Sequence, residues 1–231
     1  MGRIELSSRH WVMLTAVTLV AVFVALSSLR AHRSEQTSPD AMAWIAQLRL
    51  IPEVADRMGR KDYERSMFGA AWTDAVDAIG GHNGCDTRND ILDRDLTDKT
   101  YAAVSSCPRA VATGDLRSPY TGAFVSFRRG AQSGARVQID HIVPLAYAWD
   151  MGADGWAAAM RVRFANDPAN LVAVDGDSNQ EKGDSEPARW MPAQRGFHCQ
   201  YAVQFVVVAK QYRLYLDRPS ARTLDRALRR C

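Results

Sequence analysis

Outside its first 33 residues the chain has no surplus of charge of either sign. Arg3, Arg9, Arg30 and Arg33 against Glu5 account for the formal +3, and 25 basic and 25 acidic residues remain. Bulk electrostatics therefore gives no basis for a polyanionic partner, and any such contact must come from local patches. Lysine is scarce, four residues against 25 arginines, so a lysine inside a motif stands out from background. No pair of cysteines has the CxxC spacing of a zinc site. There is no internal repeat, no low-complexity tract, and no helix-turn-helix or zinc finger that would read bases. Hydrophobic content of 47% and charged content of 24% exclude a disordered or fibrous chain. At 231 residues there is room for one domain of ordinary size and an extension.

That extension is N-terminal. Trp11 to Leu29 carries no charge, and its length fits either a secretory signal or a single membrane span. Ala25-Leu26-Ser27 offers the small residues of a cleavage site, whereas the length of the run favours an anchor; both place the rest of the chain outside the cytosol. Residues 30–40 are polar, contain Pro39, and read as a linker. The domain proper is expected over 41–231. Its four cysteines then predict two disulfides. Of three connectivities, Cys85–Cys107 and Cys199–Cys231 is favoured, since each closes a local segment.

Apolar spacing and turn chemistry predict helices over 41–50, 63–79, 86–96, 147–149, 156–164, 201–214 and 223–230. A β-hairpin is expected over 116–129, turning at Ser118 to Gly122. Two further strands are expected at 137–143 and 171–174, with a helix starting near Asp177 or Ser178.

The order strand, loop, strand, helix gathers chemistry in QIDHIVPLAYAW, FANDPANLVAV and DGDSNQEKGD. Asp140 offers a hard carboxylate oxygen suited to Mg²⁺ or Mn²⁺, and Asn179 an amide oxygen. His141 projects from the opposite strand face and is the candidate general base. Lys182, one helical turn past Asn179, is placed to neutralise a phosphate, and Asn170 to brace the loop or orient His141. An Asp-His pair alone serves a capped turn equally well; the combination with NL and NxxK is far more specific.

These residues resemble the HNH, or ββα-metal, nuclease family. They most resemble the branch found in the C-terminal part of GmrSD-type restriction proteins and in exported bacterial proteins; DHIVPL is also similar to the motif of CRISPR effector HNH domains. The resemblance extends loosely over Gly84 to Cys199. It implies an α+β fold with a ββα-metal core in a mostly helical, disulfide-stapled domain. By position it makes Asp140 and Asn179 the ligands of one divalent cation, His141 the general base, Asn170 the bracing residue, and Lys182 the basic residue that follows the second ligand. Asn179 stands where the family name has histidine, which favours Mg²⁺ or Mn²⁺ over zinc. The implied products carry a 5′ phosphate and a 3′ hydroxyl.

The expected substrate is nucleic acid, DNA ahead of RNA, cut with little sequence preference. Arg128, Arg129 and Arg136 flank the motif, and Arg88 and Arg94 sit on a neighbouring helix. All five are candidates to grip phosphates, and equally for solvated surface charge or ion pairs. Tyr120 and Trp149 offer faces for base stacking, although aromatics in such segments usually belong to the core. His82 and His198 receive no role. Two rivals stand: an exported binding protein that keeps the fold without activity, and a hydrolase of another phosphoester.

Overall fold

Capping aspartates start several helices of the structure, a computed structural model that describes residues 38–105, 107–130 and 135–231. The charge-free run at 11–29 and residues 30–37 of the linker lie outside the described residues. Pro39–Cys231 forms a unit with mixed α and β structure.

Helix α1 (Pro39–Leu48) opens on a proline, whose missing N–H costs nothing at a first turn, and buries Ala41, Ile45 and Leu48. Strand β1 (Glu53–Val54) follows. Helix α2 (Thr87–Asp95) is capped by Asp86, whose carboxylate accepts the Asn89 N–H at 2.8 Å. Strands β2 (Thr97–Val104), β3 (Cys107–Arg117) and β4 (Phe124–Arg128) make an antiparallel sheet in that order. The β3–β4 turn closes where Gly122, at φ +78°, donates to the Ser118 carbonyl.

Strand β5 (Val137–His141) pairs antiparallel with β6 (Leu171–Asp175), with His141 opposite Leu171 and Asp140 opposite Val172. Between them run α3 (Leu145–Asp150) and α4 (Ala158–Ala165). Helix α5 (Gly176–Lys182) leaves β6 directly, capped by Asp175. Helix α6 (His198–Gln211), strand β7 (Leu216–Asp217), parallel to β1, and helix α7 (Arg218–Leu228) complete the unit.

The β5–β6 ribbon lies between two cores. Val137, Ile139, Leu171 and Ala173 face a smaller one with Ile91, Leu92 and Phe127. Val172 and Val174 face a larger one built from α1, α3, α6 and α7. That is why β6 reads LVAV without alternation: both faces are covered. The disulfides join Cys85 to Cys107 and Cys199 to Cys231, the local pairing favoured above.

Two expectations are corrected. The helix over 63–79 is absent; only a 3-10 turn at Arg65–Phe68 forms there. Gly69 (φ +80°) and Trp72 (φ +57°) interrupt any helix, and the Asp74 carboxylate accepts the N–H groups of Asn83 and Gly84 at 3.0 Å each, holding the segment as a loop. Conversely, β2 and the part of β3 ahead of residue 116 are strands that the apolar pattern does not announce. Strand β2 is exposed or half-exposed along its whole length, so it carries no apolar alternation to read.

Candidate active site

Alternation along β5 sends Asp140 and His141 to opposite faces, and each meets a different set of partners. The His141 Nε2 lies 2.8 Å from the Ala165 carbonyl. A carbonyl only accepts, so Nε2 carries the ring proton and Nδ1 keeps its lone pair. The Trp72 ring stacks on the imidazole at 5.6 Å and 11°. Burial lowers the His141 pKa to about 3, against the pull of the Ala165 carbonyl; the positive charges of Arg65 and Lys182 push the same way as burial. The ring is therefore neutral, with a base nitrogen available. A small cleft reaches it, lined by Arg65, Phe68, Trp72, Leu145 and Ala165.

On the other face, the Asp140 Oδ2 accepts from Lys182 Nζ at 2.7 Å and from the Tyr120 hydroxyl. Lys182 is fully buried, and its ammonium also donates to the His141 carbonyl at 2.7 Å. Burial pulls the Lys182 pKa down and the Asp140 carboxylate opposes this. Burial and the same carboxylate raise the Tyr120 hydroxyl well above its usual value. Lys182, expected to neutralise a phosphate, is buried with its ammonium paired to Asp140 and the His141 carbonyl.

Asn170 is fully buried and clasps the loop that follows β5. Its side-chain oxygen accepts the Val143 N–H at 2.8 Å, its amide donates to the Val143 carbonyl at 3.2 Å, and its own carbonyl accepts the Ile142 N–H at 2.8 Å. Asn179 projects from α5 toward Gln138, donating from Nδ2 to Oε1 at 2.7 Å. Helix α5 thus sets Asn179 against Gln138 and Lys182 against Asp140.

Among the described residues no group of three or more His, Cys, Asp or Glu side chains is arranged for a metal. The donors that remain at the site are Asp140 Oδ1 and the Asn179 amide oxygen, since the side-chain hydrogen bonds of these two residues engage Oδ2 and Nδ2. These are two hard oxygens of the kind that could hold a divalent cation.

The arginines divide. Arg94 donates to the Pro168 and Leu171 carbonyls and pairs with Asp95, and Arg129 donates to the Val111 carbonyl and to Asn89, so both are tied into the fold. Arg88 donates to the Val137 carbonyl at 2.9 Å. Arg128 and Arg136 are exposed on the strands and turn ahead of β5. Tyr120 and Trp149 are buried, so neither presents a stacking face; Trp149 donates to Asp62 at 3.0 Å.

Sequence reasoning missed five partners, one of them the Tyr120 hydroxyl that donates to Asp140. Gln138 had a signal, since it lies two residues before Asp140 and shares its strand face. Trp72 and Arg65 had none, because they reach His141 from a segment remote in sequence, and the Ala165 carbonyl, although inside FANDPANLVAV, is a backbone group that no residue type marks.

A mixed α+β unit with a paired ribbon, a capped helix and an Asp-His pair at the strand end defines the class. The chain belongs to the family of GmrSD restriction endonuclease C-terminal domains, matched over residues 86–218. It is also 36% identical over 218 residues to an uncharacterized secreted protein of Arthroderma benhamiae, an alignment covering 93% of this chain and 98% of the other. No solved structure matches it.

Proposed function

We propose that this protein is an exported endonuclease of the HNH, ββα-metal type that hydrolyses phosphodiester bonds in DNA with the help of one divalent cation. The observation that carries the reading is the His141 imidazole, held as the Nε2–H tautomer with Nδ1 making no hydrogen bond among the described residues, next in sequence to Asp140 on the strand that pairs with β6 ahead of α5. Membership in a family of restriction endonuclease domains supports nuclease chemistry. The secreted relative and the two disulfides support export.

In this reading His141 Nδ1 takes the proton of the attacking water, while the Ala165 carbonyl and the Trp72 face hold the ring in place. Asp140 and Asn179 would hold Mg²⁺ or Mn²⁺, which would supply stabilisation of charge on the leaving 3′ oxygen. Lys182 fixes Asp140 through its other oxygen, and Asn170 fixes the loop that carries the imidazole. A rival draws on the buried Asp140–Lys182 pair: a binding protein that keeps the fold without activity.

The test incubates the oxidised full chain with supercoiled plasmid and Mg²⁺ or Mn²⁺, beside His141→Ala and an EDTA control. Nicking by the wild type that disappears in both controls is expected. Intact plasmid, single strands and RNA across several metals would sink the nuclease reading and favour the rival.

A further inference from the structure

The cleft that leads to His141 is apolar along most of its wall and carries a single charged side chain, Arg65. This residue lies outside residues 86–218, the part matched to the endonuclease domain. Its backbone is firmly held. Arg161 Nε donates to the Met67 carbonyl at 2.9 Å, and Phe68 is buried with its ring 6.2 Å from Trp149 and 6.0 Å from Phe164. At Gly69 (φ +80°) a Cβ would stand 2.6 Å from Val162 Cγ2, so a larger residue there would have to displace that side chain of α4.

The Arg65 side chain, in contrast, is exposed and takes part in no salt bridge among the described residues. Trp72, from the same segment, covers the imidazole with backbone in the left-handed region, where a bulky side chain is strained. Residues 65–72 thus bring an anchored turn, a guanidinium and an aromatic clamp to the cleft that holds the imidazole.

We propose that Arg65 is a substrate-binding residue, its guanidinium receiving the non-bridging oxygens of the phosphodiester presented to His141 Nδ1. A guanidinium matches two phosphate oxygens with two parallel N–H donors. The inference rests on the nuclease reading and adds to it a residue that the matched domain does not supply.

The experiment measures binding apart from cleavage. The His141→Ala full chain is titrated with a short duplex oligonucleotide in Mg²⁺, with and without Arg65→Ala or Arg65→Lys. In the otherwise wild-type chain, kcat and KM are measured for the same variants. Arg65→Ala is expected to weaken binding and kcat/KM by about ten- to a hundredfold with an unchanged melting temperature. Arg65→Lys should recover part of the loss, since it restores the charge without the fork. Equal affinities with and without the Arg65→Ala substitution, beside a cleaving wild type, would overturn this inference alone. A wild type that neither cuts nor binds nucleic acid would overturn the nuclease reading and this inference together.

Discussion

Lys182 shows how much a single buried charge decides. Its ammonium satisfies Asp140 and the His141 carbonyl at once, in a place without solvent. Removing one partner of a buried pair leaves the other uncompensated, at a cost of about 3–5 kcal/mol. Lys182→Met should therefore lower unfolding stability by that order in a urea titration. Adding Asp140→Asn should recover part of the loss, because the two residues share one interaction. Equal midpoints for wild type and Lys182→Met would show that the pair does not hold the site. The sequence made Lys182 conspicuous, since lysines are few, but not its role. That role depends on Tyr120, from the β3–β4 turn, closing over the carboxylate, and no local pattern reports such a contact.

At the scale of elements, Asp175 links the ribbon to the helix behind it. Its carboxylate caps α5 through the Ser178 N–H at 2.9 Å and also accepts hydroxyls from Ser118, Thr121 and Ser178. Burial works against ionisation there, but these donors outweigh it and hold the carboxyl below its usual range. A group with a lowered folded pKa stabilises above its unfolded value, about pH 4, and loses that contribution as pH falls through the folded value. Asp175→Ala should cost about 1–2 kcal/mol near neutrality. The gap between variant and wild type should close below about pH 4 in thermal melts; a gap independent of pH would refute the assignment.

The same element is legible in the sequence. The apolar runs ended by Pro144 and preceded by Asn170, then DGDSNQEK, spell strand, strand and helix in order. What could not be read has physical causes. Strand β2 buries neither face, and residues 63–79 have apolar residues at helical spacing but left-handed backbone at Gly69 and Trp72. The base of the site was legible from Asp140 and His141, while its walls were not, because Arg65 and Trp72 come from elsewhere in the chain and Ala165 contributes only a backbone carbonyl.

For the whole molecule, the two disulfides fasten separate parts of the unit. Cys85–Cys107 ties the loop before α2 to the start of β3, and Cys199–Cys231 ties the start of α6 to the chain beyond α7. Each closes a loop for which the loss of chain entropy corresponds to about 3 kcal/mol. Reduction should lower the melting temperature, and Cys85→Ser/Cys107→Ser should lower it independently of Cys199→Ser/Cys231→Ser, since the bridges share no partners. Loss of one bridge that abolished the effect of the other would contradict this. Among the described residues no helix is long and apolar enough to cross a membrane.

The position of β6 between two cores has a consequence for the molecule's fluctuations. An amide sheltered on both sides meets solvent only when both cores part, so its opening requires the unfolding of the whole unit. In heavy water the Leu171 to Val174 amides should exchange last, and those of the solvent-facing β2 early. The strand beside the candidate base would then be the part of the chain that breathes least.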